Sequence, residues 1–347
     1  MSTRVPAHLS LLLSWLLALA LVACKNADGS PRTGERADEP SVLRYLSAPG
    51  TVSPIELAED LGYLAPYRLE YVSSTTSGPQ SIQAVVTGDV DVGSAFNGAI
   101  LKLIAAGAPI RAVVGSYGVD PKIWAGYYVK QDSPIQGARD LIGKKVAVNT
   151  IGAHQEFALK EYLVRNGFTA EDVKQVMLVS LPPINVEQAL RQGQTNVSVL
   201  SSVYRDRALE RGGLRLLFSD LELFGSFTAG SYVLRNDFIA RHPEAARTFV
   251  EGVGKAIDWS RATPRDQVLE RFRAIIAKRK RNEDATVIKY WHSYGVGTPR
   301  GRIESRDFSV WIDWMVRSGE LRKGQLNLSS VYTNDLNARA PLAPAAP

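Results

Sequence analysis

From residue 42 onward the chain alternates short β-branched runs with stretches of helical period, and it does so in two successive rounds. That pattern restricts the fold to α/β architectures with largely parallel sheets. In the first round "VLRYLS" (42–47), "YRLEYVSS" (67–74), "VDVGSAF" (90–96) and "IRAVVGS" (110–116) read as strands. The helix after the first has an explicit start: Ser53, Pro54 and Glu56 fit an N-cap, a first helical residue and the third position of a capping box. The next carries Ile82, Val85 and Val86 on one face and stops at Gly88, and a third runs to Gly107. "IWAGYYVK" (123–130) opens the second round, with "KVAVN" (145–149), "VMLVS" (176–180), "VSVLS" (197–201) and "LRLLFS" (214–219) separated by helices at 155–166, 186–192 and 202–210. "GSYVLRNDF" (230–238) is one more strand, and helices are expected at 243–260, 264–279, 283–293 and 304–318. The same architecture is used twice without an exact sequence repeat. The strands "GYYVK" and "SYVLR" are expected to cross between the two units as a two-stranded hinge.

The N-terminal stretch has a different character. From Leu9 to Val22 no charge interrupts the sequence, and Arg4 and His8 precede it. A membrane-spanning helix needs roughly 20 apolar residues and a secretory signal core about 7 to 15, so this run fits the signal. Leu21-Val22-Ala23-Cys24 resembles the lipobox of bacterial lipoproteins, which implies cleavage before Cys24 and lipid attachment to its sulfur. Cys24 is the single cysteine among 347 residues, so a disulfide or thiolate cluster is not available to it. The expected order is a signal peptide over 1–23, a flexible Gly/Pro/Ser-rich spacer over 24–41, a folded body, and a disordered tail at 339–347. Multiple acyl chains hold a protein at a membrane surface for long periods, so the product is expected on the outer face of the cell membrane, periplasmic or extracellular.

A net charge of +6 is modest, and no basic patch interleaved with aromatics suggests nucleic acid. The densest basic run, "AKRKR" (277–281), ends a helical pattern and reads as its solvated terminus. Neither a G-x-S-x-G turn nor H-E-x-x-H, nor a Gly-rich phosphate loop after the first strand, is present, so neither catalytic residues nor a metal or other cofactor is expected.

In wound α/β sheets, ligands lie outside the carboxyl ends of the strands, where loops enter helix N-termini. Several such loops here are rich in hydroxyl or amide groups: Ser47 in "LSAPGT", Thr75, Thr76 and Ser77 in "SSTTSG", Asn97 in "SAFNG", Thr150 and His154 in "NTIGAH", and Ser201, Ser202 and Tyr204 in "LSSVY". Converging helix ends attract an anion without any arginine, and serve a neutral ligand as plain hydrogen-bond partners. Phe96, Tyr204 and Trp124 are candidate aromatic walls of the cleft, with core packing as the alternative. Two roles are open to His154, a ligand-facing donor or a capping or exposed imidazole.

"GDVDVGSAFNGAILKLIAAGAPIRAVV", "VKQDSPIQGARDLIGKKVAVNTIGAHQEFALKEYLVRNGFTAEDV", "VLRNDFIARHPEAARTFVEG" and "WMVRSGELRKGQLNLSSVYTNDL" together resemble the substrate-binding components of ABC importers of the nitrate, sulfonate and taurine type. That group shares its fold with thiamine-pyrimidine precursor binders, and the matching pieces span about 42–338. The resemblance implies a type II periplasmic binding protein, with one lobe from 42–128 and 233–338, a second from 129–232, and a ligand held between them by hinge closure. It also implies an ABC permease and its ATPase as partners, a small-molecule ligand and a monomer. Many relatives carry a Trp and an acidic-Pro pair where this chain has Ser201, Ser202 and Val203. That departure leaves the ligand open between a sulfonate or nitrate, a pyrimidine or other heterocycle, and an aromatic acid. An exported enzyme of pyrimidine-precursor-like chemistry and a surface solute sensor stand as alternatives.

Overall fold

Two sheets of matching strand order build the folded body, the first of them completed by a strand that returns after the second. A computed structural model describes residues 40–281 and 283–337. The expected signal, Cys24, all but the last two residues of the spacer, residue 338 and the expected tail at 339–347 lie outside the described residues. In the first sheet β1 (Val42–Ser47) pairs in parallel with β2 (Arg68–Ser74), and a parallel bridge from Tyr45 to Val92 carries the sheet on to β3 (Gly93–Phe96). β4 (Ile110–Val119) completes it at the far edge. The second sheet contains β5 (Ala125–Lys130), β6 (Lys145–Val148), β7 (Met177–Ser180), β8 (Val197–Ser201) and β9 (Leu214–Ser219) in the order β7-β6-β8-β5-β9. β5 runs antiparallel to both β8 and β9. Its counterpart in the first sheet is β10 (Phe227–Arg235), antiparallel between β3 and β4.

The strands expected to form the hinge therefore do not pair with each other. β5 belongs wholly to the second sheet and β10 to the first, because each finds a full set of ladder partners there. The chain crosses between sheets at 120–124 and again at 220–226. At the first crossing the Asp120 carboxylate accepts the amides of Lys122 at 2.7 Å and Ile123 at 2.9 Å, and its other oxygen accepts the Ser293 hydroxyl at 2.9 Å.

Helices follow where the sequence signals place them. α1 (Pro54–Asp60) starts at Ser53 with Glu56 closing the capping box, and α2 (Gly78–Thr87) ends at a left-handed Gly88. α3 (Asn97–Ala105) follows β3 directly. The second unit carries α4 (His154–Arg165), α5 (Ala170–Lys174), α6 (Pro183–Arg191), α7 (Ser202–Glu210) and the short α8 (Asp220–Phe224). The chain then returns through α9 (Asn236–Arg241), α10 (Pro243–Ala262) and α11 (Arg265–Arg279), and ends with α12 (Arg306–Arg317) and α13 (Leu328–Val331). The helix expected over 283–293 is a single 3-10 turn at Thr286–Tyr290. Beyond it the chain extends and lies against the end of β4, where the Gly118 amide donates to the Tyr294 carbonyl at 2.8 Å. The approach is too close for a side chain: a Cβ on Gly118 would sit 2.2 Å from the Gly295 carbonyl oxygen.

Apolar packing joins the two units as well. On α4, Ala158, Leu159 and Leu163 fill the core of the second unit, whereas Phe157 inserts into the first, its ring 4.6 Å from Trp314 and 5.1 Å from Phe96. Val203 of α7 likewise packs in the core of the first unit.

Glu56 ties α1 to the end of α11. Its carboxylate accepts hydrogen bonds from Tyr45 at 2.9 Å, Arg279 at 2.7 Å and Arg281 at 3.1 Å, besides both Ser53 donors of the cap. Glu56 and Arg279 are both buried. Removing one partner of a buried pair strands the other, at a cost of about 3–5 kcal/mol. Glu56→Ala is expected to lower the unfolding free energy measured by urea denaturation by that order, and Glu56→Gln by distinctly less, since the amide oxygen still accepts the cap bonds.

Candidate functional site

A cleft of about 410 Å³ opens between the two sheets. It lies at the carboxyl ends of β1, β2, β3, β6 and β8, where the strands turn into helices, and the first turns of α1, α2, α4 and α7 all contribute to its wall. Local chemistry holds these turns. Ser53 and Glu56 close the capping box of α1. Thr75 accepts the Ser77 amide at 3.0 Å and donates to the Gln80 side chain at 2.7 Å, and Ser77 in turn accepts the Gln80 amide at 3.4 Å. The Asn149 amide, at the end of β6, donates to the Gln155 side chain at 2.7 Å. Ser202, at the start of α7, has a φ of 52°, a left-handed conformation that a non-glycine residue adopts only at a cost.

Seven of the residues singled out from the sequence line the cleft: Ser47, Thr75, Thr76, Ser77, Phe96, His154 and Ser201. Ser202 and Trp124 do too. Asn97, Thr150 and Tyr204 do not. Asn97 is fully buried on the other side of its strand end: its amide donates to the carbonyls of Thr228 at 2.9 Å and Asp307 at 3.0 Å, and its oxygen accepts Ser231 at 2.8 Å. Successive residues at a strand end face opposite ways, so Phe96 takes the cleft and Asn97 the interior. The same alternation puts Asn149 in the wall and leaves Thr150 out of it. Tyr204 is turned around α7 against the core of the first unit, under the Arg207 guanidinium.

The sequence reading missed Asp220, Tyr117, the hydrogen-bonded pair Ser94–Ser116 at 2.7 Å, and the extended segment with Trp291, Ser293 and Tyr294. Asp220 had a usable signal. It follows the last residue of "LRLLFS" and starts α8 behind the capping box of Ser219 and Glu222, the strand-end arrangement that marked the other loops.

His154 and Asp220 face each other across the wall. His154 stacks on Phe96 with ring centroids 5.2 Å apart, and its Nε2 lies 3.3 Å from Asp220 Oδ2. Neither atom has a hydrogen-bond partner, while Asp220 Oδ1 accepts the Ala125 amide at 2.9 Å. Burial pulls the imidazole down to about 4, so it is neutral at pH 7. Burial also pushes the Asp220 carboxyl up to about 7, against the amides of Ala125 and Leu221 and the field of Arg205. Among the described residues no Lys or Arg lines the cleft, and no group of three or more His, Cys, Asp or Glu is placed to hold a metal.

These shifts have opposite signs in the stability. The native state holds the Asp220 proton more tightly than the unfolded chain, whose value is about 3.9, so this contribution is full below pH 4 and is lost as the pH rises to about 7. For His154 the contribution is full above about pH 6.5 and is lost as the pH falls toward about 4. Asp220→Asn keeps the Ala125 contact and cannot ionise. Its melting temperature, followed by circular dichroism, is expected to gain several degrees on wild type between pH 4 and pH 8, whereas a parallel pair of curves would contradict a buried ionising carboxyl.

Comparison with known proteins agrees with this architecture. Over 206 residues the chain is 30% identical to the putative aliphatic sulfonates-binding protein of Escherichia coli K12, covering 58% of this chain and 59% of that protein. The alkanesulfonate-binding protein SsuA from Xanthomonas axonopodis pv. citri, solved with MOPS, superposes with a TM-score of 0.65 at 19% identity over 86% of this chain and 99% of that one. The periplasmic nitrate-binding protein NrtA from Synechocystis PCC 6803 gives 0.65 at 14% identity, over 86% and 87%. The fold is that of the periplasmic binding proteins. Residues 51–267, more than half of the chain, match the family described as NMT1/THI5 like, and the protein belongs to that family.

Proposed function

We propose that this chain is the extracytoplasmic solute-binding receptor of an ABC importer, which captures a small solute between two lobes and delivers it to a permease and its ATPase. The cleft carries the proposal: two wound sheets, joined at two crossings, bring helix N-termini and hydroxyl-bearing loops from both sides to one cavity of about 410 Å³. Such a protein needs no catalytic group; it needs two arrangements of similar energy and a ligand that prefers the closed one. In this reading the lobes divide at 120–124 and 220–226, Ser47, Thr75, Thr76, Ser77, Phe96, His154 and Ser201 contact the ligand, and Asp220 and Trp124 join them. The relatives named for aliphatic sulfonates and alkanesulfonate support a sulfonate-sized guest. We further propose that lipid on Cys24 tethers a monomer to the outer face of the membrane. Cys24→Ser is then expected to move the protein from the membrane to the soluble fraction on cell fractionation.

A thermal-shift screen of alkyl and aryl sulfonates, nitrate, pyrimidines and aromatic carboxylates tests the capture. A stabilising compound is expected to reduce the radius of gyration in small-angle scattering and to alter tryptophan fluorescence, because Trp124 and Trp291 are in the wall. Turnover of a compound without compaction would contradict the proposal. Removing one ligand-facing hydroxyl costs about 0.5–1.5 kcal/mol, so Thr76→Val and Ser201→Ala are each expected to weaken binding roughly threefold to tenfold by calorimetry. Asn97→Ala is expected instead to lower stability and leave affinity within about twofold, since its three bonds are internal.

A further inference from the structure

The cleft combines a field that attracts anions with a side chain that repels them. The first turns of α2, α4 and α7, helices of 10, 12 and 9 residues, line it, and each helix start presents partial positive charge of roughly half a unit. Among the described residues no Lys or Arg joins them there, and Asp220 is the one carboxyl in the wall. Its Oδ2 is buried and without a hydrogen-bond partner, as is the facing His154 Nε2 3.3 Å away.

The other groups around Asp220 do not neutralise it. Arg205 of α7 stands behind Trp124, its guanidinium 4.2 Å from that ring, and is committed to the Asp206 carboxylate and to the carbonyls of Trp124 and Lys122. Tyr117 of β4 and Tyr127 of β5 are held protonated by burial. His154 is neutral for the same reason. On its own element the Glu222 carboxylate is turned to the Ser219 amide at 2.8 Å. An anion held by the helix starts would meet an ionised, buried Asp220 in the same wall, where like charges oppose each other.

Resting on the reading of this cleft as the solute site, we propose that Asp220 decides which ligands it accepts: a negatively charged solute enters only when Asp220 is protonated, and the carboxylic acid donates its Oδ2 proton to an oxygen of the ligand. The anion and one proton from solvent are then bound together; no covalent bond forms, and release returns both. A free carboxyl near 7 makes the uptake visible in the neutral range. Above that value the dissociation constant of an anion rises tenfold per pH unit, and an uncharged ligand shows no such rise.

Calorimetry from pH 6 to pH 9 with methanesulfonate, hexanesulfonate and benzenesulfonate, and with benzenesulfonamide as the uncharged counterpart, tests this. The sulfonates are expected to weaken about a hundredfold over that range, with close to one proton taken up per ligand at pH 8 when two buffers of different ionisation heat are compared. Benzenesulfonamide should change less than threefold. Asp220→Asn, a permanent donor, is expected to bind the sulfonates at pH 9 about as tightly as wild type does at pH 6, a gain that mere structural damage does not produce. Sulfonate affinity independent of pH, or the same slope in Asp220→Asn, overturns the proposal. So does failure of every sulfonate at pH 6, even where an uncharged compound compacts the protein, in which case solute capture stands without the proton. If no compound of the wider screen compacts it, both fall.

Discussion

Each sheet takes its antiparallel strand directly from a crossing between the two units. β5 leaves the first unit and becomes an inner strand of the second, and β10 makes the return journey to sit between β3 and β4. A strand in that position cannot be removed without unpairing two neighbours, so the crossings are anchored at both ends while 120–124 and 220–226 themselves stay short. This exchange sets the two rows of strand ends opposite one another. Everything in the cleft follows from that alignment, because the loops at those ends and the helices they start have nowhere else to point.

The wall is then made by ordinary helix capping. Ser53, Ser77 and Ser219 satisfy first-turn amides of α1, α2 and α8 or close capping boxes with them, and Ser202 accepts a left-handed backbone to begin α7. The chemistry that terminates secondary structure thus also supplies the polar lining, and the aromatic rings of Phe96, Trp124 and Tyr117 close the space between. Glu56 extends the arrangement to the far side by fastening α1 to Arg279 and Arg281, so the end of α11 braces one wall without entering it.

Much of this was legible in the sequence, and the failures have a common cause. Strand and helix positions follow from local patterns, and β1, β9 and α7 occupy the residues that alternation and caps indicate. Strand partners are a tertiary matter, so the pattern marks "GYYVK" and "SYVLR" as crossing strands of a hinge but does not show that β5 is ladder-paired in the second sheet and β10 in the first. Loops were legible as polar, whereas the side on which each residue falls depends on a one-residue offset. Ser47, Ser201 and His154 fell on the cleft side; Asn97 and Tyr204 fell on the side where apolar packing or internal hydrogen bonds claim them. Asp220 escaped notice because a carboxylate behind a serine reads as a helix start, which it also is.

The insertion of Phe157 into the first unit has its own consequence for how readily the two sheets can part. Parting the sheets would draw that ring away from Phe96 and Trp314 and wet it, along with Val203, and burying one such side chain is worth about 1.5–3 kcal/mol. The contact of Phe157 and Val203 with the first unit is thus an apolar adhesion that any separation of the sheets must overcome, whatever occupies the cleft.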